Sequence, residues 1–340
     1  MSNVRAHPAA VEAGIAAAIS AGESVRGTTS PNPPVGCAII DASGHLIAVG
    51  ATSPAGGAHA EVNALAAAGE RAQGAVAIVT LEPCAHTGRT GPCTHALIQA
   101  GVAQVIYLTK DPNPEAAGGA QVLRRAGVQV AYEPREVVAL GAWWASISMQ
   151  RPAVTWKYAA TLDGFTAAAD GTSKWITGEA ARAHVHRDRA RRDAIIVGTG
   201  TALADDPQLT ARRPDGELYS TQPERVVVGT REITGNLARL GFTQYPDPES
   251  ALAALWERGA RDVLVEGGAS LALSFVNAGL VDRIQAYVAP ALLGAGRGVL
   301  GGPLATTMSQ AQRFRVERVI QLGEDVLIEM ARKDLLEQDK

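Results

Sequence analysis

The chain has 340 residues, 46% hydrophobic and 19% charged, with a formal net charge of −3. At roughly 150 residues per domain that length points to two domains, and the composition excludes a disordered chain. The acidic balance argues against a general nucleic-acid binder, no apolar run reaches the ~18 residues of a membrane span, and three cysteines are too few for a disulfide scaffold.

The first 19 residues include Glu12 and lack a basic lead into an apolar core, so no signal peptide is expected and the cytoplasm is the expected location. Residues 8–22 are Ala-rich and amphipathic and read as a helix; 35–40 and 46–50 read as strands joined by a turn at 41–44. A helix follows over 60–68, a buried strand over 76–81, and a helix over 92–100, with Pro in its first turn and Gly101 just past its end. Residues 102–109 and 128–131 read as strands, 111–114 as a turn, 122–126 as a helix and 133–150 as a helix. Such alternation predicts a sheet flanked by helices. Arg151-Pro152 then breaks the chain, which sets the expected boundary near residue 150, between a domain of residues 1–150 and one of 151–340. Beyond it the pattern restarts, with strands over 154–159, 195–197, 225–228, 262–265 and 284–288 and helices over 179–192 and 269–278. Residues 212–223 are polar and turn-rich and read as a mobile surface loop.

Two segments carry metal chemistry. His59-Ala60-Glu61 opens a helix, and Cys84 and Cys93 each follow a proline at an expected helix start. Free N–H groups at a helix start favour the thiolate form that binds metal. One imidazole and two thiolates suit Zn²⁺ and leave a fourth position for water, which is the catalytic arrangement. Glu61 lies two residues from His59, so it converges on the metal only if both sit in the first turn. There it fits the proton-shuttling, non-ligating Glu of zinc deaminases, although the cysteine spacing is eight residues where the tighter motif has two. A closed structural site, with His86 or His95 as fourth ligand, is the competing reading; His86 otherwise faces substrate. Cys37, inside a strand, reads as an apolar filler. His7 and His45 read as solvated.

In the second half no Gly-x-Gly-x-x-Gly follows a strand, so a Rossmann fingerprint is absent. The strand over 262–265 runs instead through Glu266-Gly267-Gly268 into a helix. That junction is either a plain tight turn or a place where backbone N–H groups meet a pyrophosphate. Arg182, Arg187, Arg189, Arg191 and Arg192 share one helix and read mostly as a solvated face paired with Glu179, Asp188 and Asp193. One or two of them could hold a substrate phosphate.

These residues resemble a known family. Ser30-Pro31-Asn32-Pro33-Pro34-Val35-Gly36-Cys37, His59-Ala60-Glu61-Val62, residues 80–93 (TLEPCAHTGRTGPC) and Asp111-Pro112-Asn113-Pro114 are similar to the bifunctional riboflavin-biosynthesis family RibD. So are residues 157–164 (KYAATLDG), 173–177, 197–209 (VGTGTALADDPQL), 265–268 and 289–294, and the likeness covers nearly the whole chain. The resemblance implies an α/β protein with a cytidine-deaminase-like N-terminal domain and a dihydrofolate-reductase-like C-terminal domain, each a helix-flanked sheet. It implies zinc-dependent deamination of 2,5-diamino-6-(5-phosphoribosylamino)pyrimidin-4(3H)-one, then NADPH reduction of the ribosyl chain of 5-amino-6-(5-phosphoribosylamino)uracil. By position, His59, Cys84 and Cys93 would bind one Zn²⁺ per chain, Glu61 would shuttle protons, and Asn32 and His86 would meet the pyrimidine. Ser173, Arg189, Leu209, Arg212 and Glu266 would line the sugar-phosphate pocket. Ala159, Trp175, Thr201, Asp205, Thr230, Gly268, Ala269, Ser270, Leu271, Ala272, Leu273 and Ser274 would meet NADPH. The chain departs from the family at Ser30, where a His often stands, at Trp143-Trp144-Ala145-Ser146, which replaces a basic run, and at Gly229-Thr230, which replaces Asp-Ser or Asp-Pro. The family implies a small-molecule substrate, no nucleic-acid or membrane partner, and a homo-oligomer, dimer or tetramer. Two alternatives stand beside it: one active half on the same fold, or a zinc-stabilised nucleic-acid editing or binding module.

Overall fold

Continuous apolar runs make strands buried on both faces. Every residue of β1 (Gly36–Ile40) and of Val76–Val79 is buried. A computed structural model describes residues 8–85 and 91–333. The chain divides into two compact units, Met1–Gln150 and Arg151–Lys340.

In the first unit α1 (Pro8–Ser24) precedes β1, followed by β2 (Leu46–Ala51), α2 (Ala60–Ala68), β3 (Val76–Val79), α3 (Cys93–Gln99), β4 (Gln104–Tyr107), α4 (Gly119–Arg125), β5 (Gln129–Tyr132) and α5 (Val138–Met149). The sheet order is β2-β1-β3-β4-β5. Strand β1 is antiparallel to both neighbours, and β3, β4 and β5 run parallel. Cys37 pairs with Gly50 and Val79, so these three share a face, while Ile40 and Ile78 share the other. Helix α1 meets the second face, with Gly14 against Ile40 and Ile78. Helix α2 lies on the first, so close that a Cβ on Gly50 would stand 2.9 Å from Ala64 Cα. The helix expected over 133–150 begins only at Val138. Pro134 disfavours a helical Glu133, and the Glu133 and Arg135 N–H groups instead donate to Tyr107 and Leu108 carbonyls, prolonging the pairing beside β4.

The second unit contains β6 (Ala153–Thr161), β7 (Phe165–Ala168), α6 (Glu179–Arg189), β8 (Ala194–Gly198), α7 (Thr199–Asp205), β9 (Glu224–Val228), α8 (Asn236–Leu240), β10 (Thr243–Tyr245), α9 (Pro248–Glu257), β11 (Asp262–Val265), α10 (Ala269–Asn277), β12 (Arg283–Ala289), β13 (Gly296–Gly298), β14 (Phe314–Leu322) and β15 (Asp325–Arg332). Its main sheet has the order β10-β9-β8-β11-β6-β12-β15-β14; β7 and β13 form a separate pair. The strands from β10 to β12 in that order are parallel, and β15 and β14 close the sheet antiparallel. Open parallel sheets bind ligands outside the carboxyl ends of their strands.

Arginine-rich α6 is only in part the solvated face expected: Arg187 and Arg191 are exposed, but Arg192 is not. Arg192, just past its end, is 3% exposed. It grips Asp188 at 3.0 Å, Asp262 at 2.5 Å and Thr155 Oγ1 at 2.9 Å, tying α6 to the starts of β6 and β11. Residues 212–223 form a polar turn pinned by Gln222, whose side chain bonds both backbone groups of Ala211.

Candidate functional site

In the first unit the chain leaving β2 returns into α2 through a loop held by Asn63, whose Nδ2 donates to Ala51 O at 2.7 Å and Ser53 Oγ at 3.0 Å. That fixes His59 at the cap of α2 in an extended conformation (φ −74°, ψ 163°). Cys93 is the first residue of α3, as expected. Cys84 is not at a helix start; it lies in irregular chain after β3. It still receives what a helix start offers, because the Cys93 N–H donates to its sulfur at 3.3 Å and the Thr94 N–H to its carbonyl at 3.3 Å.

His59 Nδ1 stands 3.1 Å from Cys93 Sγ and 3.7 Å from Cys84 Sγ, and the three donor atoms lie within 4.8 Å of one another. Tetrahedral zinc with bonds of ~2.0–2.3 Å spaces its donors about 3.5 Å apart, so one nitrogen and two sulfurs here fit the ion. Among the described residues no fourth donor joins the cluster; His95 is exposed, and His86 lies outside the described residues. Donation from Cys93 acidifies Cys84 to about 4 and pushes Cys93 up. A hydrogen bond to Cys84 raises His59.

Glu61, in the first turn of α2, is 4% exposed, and its carboxyl meets Cys93. Burial pushes its pKa up, and the Cys84 charge adds to the shift. Cys37 is fully buried in β1, where burial pushes its thiol up, as befits an apolar filler. Asn32 closes a turn in which its N–H donates to Thr29 O and its carbonyl accepts from Thr29 Oγ1; Trp143 Nε1 donates to Pro31 O at 3.1 Å beside it.

In the second unit, expected residues gather at the carboxyl ends of β8, β9 and β11. Gly268 N–H donates to Thr201 Oγ1 at 2.9 Å, joining the first turn of α7 to the start of α10. A Cβ on Gly268 would come 3.2 Å from that oxygen, so the junction is a backbone cradle that suits a pyrophosphate. Leu271 and Ala272 bury their side chains, leaving only backbone for a ligand. Ser274 Oγ donates back to Ser270 O. Asp205 and Thr230 are exposed. Trp175 is 71% exposed, with the Arg182 guanidinium 4.5 Å above its ring. Ser173 is exposed on the same segment, and Ala159 is half-buried on β6.

Arg189 and Glu266 form a forked pair at 2.7 and 2.8 Å, and Arg189 Nη1 donates to Thr210 O at 3.0 Å. Leu209, at φ 51°, turns the chain there, and the Arg212 N–H donates to His186 Nδ1 at 3.3 Å. Burial works to raise Glu266, but Arg189 and Lys157 outweigh it and hold the carboxyl at about 2. Lys157 carries no role in the sequence reading, yet its Nζ lies 3.8 Å from Glu266 and 5.5 Å from the Tyr287 ring centroid. Its signal was present only as one letter of the 157–164 motif; the register that sets β6 beside β12 supplies its surroundings.

Two family profiles match the chain: "Cytidine and deoxycytidylate deaminase zinc-binding region" over residues 10–109 and "RibD C-terminal domain" over residues 152–328. The riboflavin biosynthesis protein RibD of Corynebacterium ammoniagenes is 59% identical over 310 residues, covering 88% of this chain and 92% of that protein. The chain belongs to the RibD family. RibD of Mycobacterium tuberculosis is 48% identical over 323 residues, covering 92% of this chain and 95% of that protein. The solved structure of Acinetobacter baumannii RibD, form 1, superposes with a TM-score of 0.84 at 39% identity, covering 95% of this chain and 99% of that one. A deaminase/reductase structure from Thermotoga maritima gives 0.84 at 32% identity with the same coverage. As a RibD the chain is a two-activity riboflavin-biosynthesis enzyme, with a zinc deaminase fold followed by an NADPH-dependent reductase fold. Motifs retained in both halves disfavour a one-activity chain and a nucleic-acid module. No described helix is long and apolar enough to cross a membrane.

Proposed function

We propose that residues 1–150 deaminate 2,5-diamino-6-(5-phosphoribosylamino)pyrimidin-4(3H)-one at C2, and that residues 151–340 reduce the ribosyl chain of the resulting 5-amino-6-(5-phosphoribosylamino)uracil to ribityl. The observation that carries the reading is the convergence of His59, Cys84 and Cys93 beside a buried carboxylate. Zinc held by these three supplies a Lewis acid that acidifies water near neutral pH. Glu61 takes the proton that water gives up and delivers it to the departing nitrogen, which leaves as ammonia. Asn32 offers an amide donor and an acceptor to the pyrimidine edge.

In the reductase unit NADPH supplies the hydride. The backbone from Gly268 to Ser274, with Thr201, holds the pyrophosphate, and Ala159, Trp175, Asp205 and Thr230 hold the rest of the coenzyme. Arg212, Ser173 and the Leu209 turn receive the sugar phosphate. Arg189 keeps one N–H on each terminal nitrogen after its three bonds and can add to that contact while orienting Glu266. The chain works in the cytoplasm as a homo-oligomer on a small molecule, without nucleic acid or membrane. Chelating the zinc tests the division of labour. Ammonia release from the diaminopyrimidine stops, while NADPH oxidation with the deaminated substrate continues. Ammonia release from zinc-free protein at the normal rate overturns the reading.

A further inference from the structure

Just past β9 the chain places a cation that the residues assigned above do not use. Gly229, Thr230 and Arg231 follow the carboxyl end of that strand, and Gln244 of β10 clamps their backbone, its Nε2 donating to Gly229 O at 2.6 Å and Arg231 O at 2.9 Å. Gly229 has φ 120°, and a Cβ there would stand 2.9 Å from Thr199 Oγ1, so only glycine lets the strand end press against α7. Arg231 then lies along the first turn of α7. Its Nε donates to Thr199 Oγ1 at 3.1 Å, and a Cβ on Gly200 would stand 3.3 Å from Nη2, so a bare backbone lies under the guanidinium.

Nε is thus spent on orientation, and both terminal amino groups remain for a ligand. Arg231 is exposed and forms no ion pair among the described residues. In contrast, Arg189 and Arg192 are each neutralised by buried carboxylates.

Its position gives the cation meaning. Thr199 and Thr201 are two residues apart in one turn. Thr199 holds Arg231, and Thr201 accepts from Gly268 at the pyrophosphate cradle. Gly198, just before them, lies against both Val228 O at the end of β9 and Leu271 of α10. With the nicotinamide directed to the substrate pocket at Arg189 and Glu266, a dinucleotide whose pyrophosphate lies on Gly268 would carry its adenosine ribose the other way, past α7 towards the end of β9. A guanidinium with two free amino groups suits a phosphate monoester.

We propose that Arg231 binds the 2′-phosphate of the coenzyme and so sets the preference for NADPH over NADH. The proposal rests on the dinucleotide reading of the Gly268 to Ser274 turn. The phosphate of the pyrimidine substrate is the other source of the same chemistry, so the test separates the two.

The full zinc-loaded chain is titrated calorimetrically with adenosine 2′,5′-bisphosphate, 5′-AMP and ribose 5-phosphate. In Arg231→Gln the bisphosphate binds about 10- to 100-fold more weakly, the loss expected for charge-assisted hydrogen bonds, while 5′-AMP and ribose 5-phosphate are unchanged. Arg231→Lys, which keeps the charge but loses the hold on Thr199, falls between. High salt narrows the wild-type preference for the bisphosphate and leaves the Gln variant little affected. Equal loss for bisphosphate and 5′-AMP, no loss for either, or loss for ribose 5-phosphate alone overturns the proposal. A Gly268→Val control tests the underlying reading separately: if it leaves both adenine nucleotides bound normally, the dinucleotide site itself is misplaced.

Discussion

Arg189→Met tests how the reductase site is held together. In the native chain Arg189 and Glu266 are both largely buried and joined by a two-pronged contact at 2.7 and 2.8 Å. Removing one partner of a buried pair costs about 3–5 kcal/mol, because the other charge is left without compensation. Lys157 Nζ remains 3.8 Å from the carboxylate, which puts the expected loss near the lower end, about 3 kcal/mol.

The pH dependence follows from Glu266, held at about 2 against an ordinary 4.5. A depressed carboxyl stabilises the fold fully above its unfolded pKa and loses that contribution as pH falls through its folded one. The variant is therefore most impaired at neutral pH, and its deficit narrows below the ordinary carboxylate range. Urea unfolding read by hydrogen exchange of β11 amides, at neutral and acidic pH, checks both statements. An unchanged midpoint with only weaker substrate binding would refute the reasoning, because Arg189 would then be a spare phosphate ligand and not the partner of Glu266.

Glu61→Gln should slow ammonia release by about 10²- to 10⁴-fold, the usual worth of a positioned acid–base group, while zinc stays bound, since Glu61 is outside the donor set. Normal deamination, or loss of the metal, contradicts that assignment. His184 and His186 are both held below 6.5, chiefly by burial. The unfolded chain therefore binds protons first as pH drops through 6.5, and the reductase unit should weaken below that pH and stay level above it. Exchange protection of β12 amides across that range reads the effect, and protection that grows on acidification counts against it.

The metal cluster was legible in the sequence because its donors sit in two short segments whose junctions with strands are marked by proline and glycine. Glu61 was legible for a geometric reason: both it and His59 lie at the first turn of α2, where neighbouring side chains converge. Cys84 shows where local reasoning stops. Its proline resembles a helix start, but the N–H groups that reach it come from α3, nine residues on. Arg192 was hidden similarly, since a charged residue at a helix end reads as solvated until β6 and β11 bring Thr155 and Asp262 to it. Strands β14 and β15 lack a clean apolar run, because β14 is the exposed edge of the sheet, with Val316 and Val319 facing outward. Helices α7 and α8 are short, and turn residues obscure them.

The most direct measurement supplies the zinc-loaded protein with the phosphoribosylated diaminopyrimidine, with and without NADPH, and reads the products by mass. Without NADPH the expected product has exchanged one amino group for oxygen and released ammonia; with NADPH that product gains two further hydrogens. A reduced product that keeps its amino group, or an unchanged substrate in both arms, contradicts a zinc deaminase feeding a reductase in one chain.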